Sequence, residues 1–161
     1  MTRDQFKYIF DNYFDAVRNY IYYRSGDDEL ATDIAQETFM KIWEKQMESE
    51  PKKIKGLLFK ISGDLFVSSY RKQKRMLTFK LNTKPAFSNH TPQEEMEFQE
   101  LKNSYETALA KLPEKQRTVF LMSRMDKLKY REIAETLGLS VKAVEKRMTK
   151  ALVSLKQMMP N

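Results

Sequence analysis

The sequence predicts an all-α fold: two small helical domains joined by a flexible linker. Three observations predict it. Apolar residues recur at helical spacing along most of the chain, clusters of helix breakers interrupt that pattern in the middle, and the charge changes sign from block to block.

The first stripe is Phe6, Ile9, Phe10, Tyr13, Phe14, Val17, Tyr20 and Ile21, ending near Ser25 and Gly26. Asp27, Asp28 and Glu29 then open a second helix, with carboxylates where the helix dipole favours them. Its inward residues are Leu30, Ile34, Thr38 and Ile42, with Ala31, Ala35 and Phe39 alongside. After a loop over residues 48–53, a third helix starts near Ile54 with Leu57, Leu58, Ile61, Leu65 and Tyr70, and runs into Arg71, Lys72, Lys74 and Arg75. From about Met76 to Asn89 the stripe fades among Asn82, Pro85, Ser88 and Asn89, so 1–75 reads as one domain, 76–90 as the linker and 91–161 as the second domain. Thr91 and Pro92 followed by Glu94 and Glu95 restart a helix, since a capping hydroxyl, a proline in the first turn and acids suit a helix N-terminus. That helix runs through Leu109, breaks at Leu112 and Pro113, and is followed by another from Glu114 to Met125.

Composition excludes several classes of function. The chain has no cysteine and a single histidine, His90, and its four glycines are too dispersed to cradle a phosphate, so neither a catalytic centre nor a cofactor or metal is expected. No apolar run is long enough to cross a bilayer, and MTRDQFKYIF is no secretory signal, so the expected location is the cytoplasm, without membrane insertion. The net charge of +7 divides into −5 over residues 1–50, +9 over 51–90, −4 over 91–100 and +7 over 101–161. Two positive blocks point to a polyanion, most simply nucleic acid; on charge alone, lysines that merely keep the surface solvated remain an alternative.

The stretch LKYREIAETLGLSVKAVEKRMTKAL, from Leu128 to Leu152, sharpens this. With Ala134 as position five of a helix-turn-helix, Gly138 falls at nine and Val144 at fifteen, where a small residue, a turn glycine and an apolar residue are wanted. Gly138 suits the left-handed conformation that ends a helix, and Ser140 can cap the next. That next helix is expected to bury Val141, Val144, Met148, Leu152 and Leu155, and to offer its N-terminal residues to base edges in a major groove.

At this point the residues resemble a known family. LPEKQRTVFLMSRMDKLKYREIAETLGLSVKAVEKRMTKAL, from Leu112, resembles region four of the sigma-70 factors. ATDIAQETFMKIWEK, from Ala31 to Lys45, and GLLFKISGDLFVSSYRKQKR, from Gly56 to Arg75, resemble region two. Both regions in this order, with a short linker, resemble the extracytoplasmic-function (ECF) group. The resemblance implies a factor that binds core RNA polymerase, directs it to promoter DNA and helps to open the duplex, with an anti-sigma factor as a further partner.

The resemblance also implies roles for particular residues. Asp33, Gln36, Glu37 and Phe39 match the family's D-x-x-Q-E-x-F pattern, which meets the polymerase; by itself this is an ordinary amphipathic helix with an acidic outer face. For the minus-10 element the expected residues are Lys52, Lys53, Lys60, Asp64, Ser68, Arg71, Lys72 and Arg75, with a base cradled by the loop from about Ser49 to Gly56. Phe59, Phe66 and Tyr70 are candidates for stacking on bases, at positions that equally suit a core. For the minus-35 element, base contacts fall to Lys142, Ala143, Glu145 and Lys146, and phosphate contacts to Arg131, Arg147 and Lys150. Leu57, Asp64, Ser68 and Ala143 stand where the family often has tryptophan, asparagine, aspartate and threonine; Asp64 lacks the amide donor, so base reading at the minus-10 element is expected to differ, and Ala143 costs a hydroxyl contact. The alternative is a stand-alone helix-turn-helix regulator, which would have no need of an acidic Asp33-Gln36-Glu37 face beside a basic aromatic helix.

Overall fold

The structure, a computed structural model, describes residues 1–47, 50–70, 79–80 and 91–160. Among these, all regular secondary structure is helical: α1 (Arg3–Ser25), α2 (Asp28–Glu44), α3 (Ile54–Tyr70), α4 (Pro92–Lys111), α5 (Glu114–Arg124), α6 (Tyr130–Leu137) and α7 (Val141–Met158). Of the 76–90 linker, Phe79 and Lys80 alone fall within the described residues.

Local chemistry sets the helix ends. Thr2 caps α1 in a capping box with Gln5, and Gly26 closes it in the left-handed conformation at φ 66°. Asp27 accepts from the Leu30 N–H at 3.1 Å to start α2. Thr91 caps α4 as expected and, in addition, forms a capping box with Glu94, with Pro92 in the first turn.

The first three helices bury Val17, Ile21, Ile34, Phe39, Ile42, Leu58 and Phe66, and the last four bury Leu109, Val119, Leu121, Met122, Ile133, Val144 and Ala151. Each of these side chains except Ala151 contributes about 1.5–3 kcal/mol by leaving water. Phe6, Phe10 and Phe14 of α1 surround Phe39 of α2, with ring centroids 6.5, 5.3 and 5.8 Å from it. Arg18 ties the same pair of helices, donating to Thr32 at 3.0 Å and pairing with Asp28 at 2.6 Å.

The two helical groups dock on one another, α5 against α1 and α6 against α3. Their relative orientation, which the sequence did not reveal, is set by side chains at the end of α1.

Candidate polymerase and nucleic-acid interfaces

On α2 the inward face is Ala31, Ile34, Ala35, Thr38, Phe39 and Ile42. The opposite face exposes Asp33, Gln36 and Glu37 in one row. Met40, 57% exposed, continues that row one turn on, and Trp43, 38% exposed, flanks it with its ring 5.1 Å from Phe6. The sequence reading missed these two because an apolar residue in an amphipathic helix is expected inside. Phe39 departs from expectation in the other direction. At 1% exposed it has no surface to offer a partner; it holds α2 against α1.

Lys52 and Lys53 stand exposed just before α3, with Lys53 3.7 Å from Glu50. Lys60, Asp64 and Ser68 follow at four-residue intervals along the exposed side of α3. Arg71, Lys72 and Arg75 lie outside the described residues, as does the side chain of Tyr70. Phe59 and Phe66 are core residues, not stacking platforms: Phe59 packs 4.9 Å from the Tyr20 ring, and Phe66 lies under the Arg24 guanidinium at 4.6 Å. The aromatic rings bordering the loop before α3 come instead from α1. Tyr8 and Tyr13, with Ile9, Pro51 and Ile54, line a hollow of about 600 Å³.

The helix-turn-helix forms as expected. Gly138 ends α6 at φ 67°, its N–H bonded to the Ala134 carbonyl, and the Ser140 hydroxyl accepts from the Ala143 N–H at 3.1 Å to start α7. The Lys129 N–H donates to Glu132 at 3.0 Å, fixing the start of α6. Val144, Met148, Ala151 and Leu155 form the buried stripe of α7. Val141 and Leu152, expected inside, are 40% and 41% exposed, because that four-residue stripe leaves both on its flanks.

The first turn of α7 holds no acid, so the positive end of its dipole and Lys142 both favour an anion. Arg131, Lys142, Glu145, Lys146 and Lys150 are exposed, and Ala143 and Arg147 half-buried. Ala143, Lys146, Arg147 and Lys150 share one wall of a cleft of about 780 Å³ with Lys115 of α5, which the sequence reading had not singled out; Tyr20 and Arg24 of α1 form the other wall.

Comparison with known proteins decides between the two readings. Residues 9–76 match Sigma-70 region 2, and residues 102–155 match Sigma-70, region 4. The chain is 31% identical to the ferric citrate uptake sigma factor FecI of Escherichia coli, over 76% of this chain and 72% of that one. It is 25% identical to RNA polymerase sigma factor YlaC of Bacillus subtilis, over 98% and 93%. This chain belongs to the sigma-70 family and is an ECF-type sigma factor. The stand-alone regulator is thereby set aside, since both halves of the sigma factor match. Its fold is that of the sigma factor RpoE from Bartonella quintana, solved with the anti-sigma factor NepR, at a TM-score of 0.61, 24% identity and 96% coverage of each chain. The fold of CnrH, solved with the cytosolic domain of CnrY, is similar at a TM-score of 0.64, 20% identity and 98% and 88% coverage. No helix among the described residues is long and apolar enough to cross a membrane.

Proposed function

We propose that this sigma factor divides its work among three exposed helical faces. The Asp33, Gln36 and Glu37 row of α2, extended by Met40, engages core RNA polymerase. The α3 face with Lys52, Lys53, Lys60, Asp64 and Ser68, continued by Arg71, Lys72 and Arg75, contacts the minus-10 element and stabilises it when its bases unstack. The N-terminal half of α7 reads the minus-35 element through Lys142, Ala143, Glu145 and Lys146, while Arg131, Arg147 and Lys150 hold phosphates. Glu145 suits a cytosine amino group, and a lysine suits guanine. Asp64 accepts hydrogen bonds but offers no amide donor, which favours a different base from the one an asparagine would select.

The observation that carries this reading is the opposition of sign between the exposed faces: acidic on α2, basic on α7. Phosphate contacts supply affinity without sequence, and base contacts supply sequence. The factor contributes recognition and strand separation and leaves bond making to the polymerase. It acts in the cytoplasm, and an anti-sigma factor is the natural protein partner for a chain with these relatives.

The test is reconstitution: purified protein, bacterial core polymerase and genomic DNA, with transcript starts mapped. Discrete starts sharing two spaced upstream elements are expected. Starts without a shared upstream pair would refute the proposed division between α3 and α7.

A further inference from the structure

Four cations converge on the cleft of about 780 Å³ beside α7: Lys146, Arg147 and Lys150 from α7 itself, and Lys115 from the first turn of α5. None of them pairs with a carboxylate among the described residues. Glu114, the acid on the same lining, is taken up by Arg24 of α1, whose charge it cancels. Pro113 at the head of α5 supplies no capping side chain, so the positive end of that helix's dipole adds to the field. An anion entering the cleft therefore meets positive charge from two helices at once. Arg147, half-buried, offers it a planar fork that suits a phosphate.

Charge accounts for only part of the lining. Pro113, Leu137, Leu139 and Ala143 contribute apolar surface to it. Gln116 lies there too, with its side-chain oxygen shut off from solvent and lacking a hydrogen-bond partner among the described residues. A buried acceptor left unpaired is costly, and an N–H on a ligand would relieve it. The volume lies in the range of small-ligand pockets, about 300–1,000 Å³. A ligand that meets all three features has a phosphate chain at one end and a flat ring with N–H groups at the other.

We infer that this cleft is a binding site for a nucleoside polyphosphate. Lys115, Lys146, Arg147 and Lys150 hold the phosphates, and the base lies against Pro113, Leu137 and Leu139 with an N–H directed to Gln116. Inorganic polyphosphate would satisfy the cations and leave Gln116 and the apolar lining unmet, so the base is part of the assignment. Arg147 and Lys150 cannot hold nucleotide and DNA phosphates at once, so a bound nucleotide lowers affinity for DNA. That consequence, unlike the site itself, rests on the reading of α7 as the minus-35 helix.

Isothermal titration calorimetry of the full chain, without DNA or polymerase, tests the site with ATP, GTP, inorganic tripolyphosphate and guanosine as probes. Saturable binding of ATP or GTP at one site per chain is expected, with tripolyphosphate and guanosine each weaker by about tenfold or more. Lys115→Ala, at an exposed position outside the faces proposed for DNA, should weaken nucleotide binding about tenfold through loss of a charge-assisted hydrogen bond. Gln116→Leu should weaken nucleotide binding and leave tripolyphosphate binding unchanged. Lys7→Ala, which removes an exposed cation of α1 away from the cleft, should change neither. No saturable binding of either nucleotide overturns the site, and tripolyphosphate bound as tightly as the nucleotides overturns the assignment of a base. A loss with Lys7→Ala equal to that with Lys115→Ala overturns the location. The nucleotide that binds should also displace a duplex carrying the mapped upstream element, read by fluorescence anisotropy. Nucleotide binding that depends on Lys115 but displaces no DNA overturns the reading of α7 while the site itself stands.

Discussion

The same replacement, glycine by alanine, is expected to act in opposite directions at two positions of this protein. Gly56 and Gly138 both have open space where a Cβ would be built, so neither substitution meets a steric clash and backbone conformation alone decides. Gly56 sits inside α3 with ordinary helical backbone, where alanine is better than glycine by about 0.5–1 kcal/mol. Gly138 holds φ 67° at the end of α6, where a side chain costs about 1–2 kcal/mol. Alanine also reduces the freedom of the unfolded chain, which offsets about 0.4–1 kcal/mol of that cost. The expected result is stabilisation by about 0.5–1 kcal/mol for Gly56→Ala and destabilisation by about 1 kcal/mol for Gly138→Ala, with Gly138→Asn in between, since asparagine tolerates the left-handed region. For a chain of this size each kcal/mol moves the melting temperature by about 2–4 °C. Urea titration followed by circular dichroism, at unchanged m-value, measures both. A neutral or stabilising Gly138→Ala would refute the reasoning, because the turn between α6 and α7 would then not depend on that backbone conformation. A loss well above 3 kcal/mol would refute it too, by revealing a steric conflict where none is seen.

Three further outcomes are expected. Lys142→Ala with Lys146→Ala should weaken promoter-specific transcription and leave core-polymerase binding unchanged; a parallel loss of polymerase binding in a pull-down would contradict the roles given to α2 and α7. Asp33→Ala with Glu37→Ala should do the reverse, and polymerase binding that survives this pair intact would make the acidic row a solvated surface only. Burial raises the carboxyl pKa of Asp126 above the ordinary range, against the lowering influence of hydrogen bonds from Tyr23 and Asn19 and of the charge on Lys55. The folded protein thus holds this proton more tightly than the unfolded chain, so the contribution of Asp126 improves as pH falls through the raised value and levels off below the ordinary one. Unfolding free energies of the wild-type protein and Asp126→Asn, measured from neutral to acidic pH, should differ by that slope, and parallel curves would exclude it.

Much of the fold was legible because it is decided locally. Thr91 with Glu94, Asp27 before α2, and Gly138 with Ser140 each state a helix boundary within four residues of sequence, and each forms as written. What was not legible depends on partners far along the chain. Arg117 lies in the helix expected from Glu114 to Met125, where nothing nearby in sequence marks it as buried, and its carbonyl partner at Tyr23 lies 94 residues away. Phe79 falls in a stretch that reads as linker, yet it is buried between Tyr22 and Arg117. The aromatic residues divide for the same reason. Helical spacing marks Phe39, Phe59 and Phe66 as inward or functional without choosing, and only packing against Phe6, Tyr20 and Arg24 places all three in the core.

Charge gives the docked arrangement its particular character. The blocks that carry the two proposed DNA-contacting surfaces have net charges of +9 and +7, so bringing them together is opposed by their own field. The interface answers this by neutralising cations where it forms: Arg24 on Glu114, and Arg117 on the carbonyl ends of α1. Such hydrogen bonds to a charged group contribute about 1.5–3 kcal/mol each, net of the water they replace.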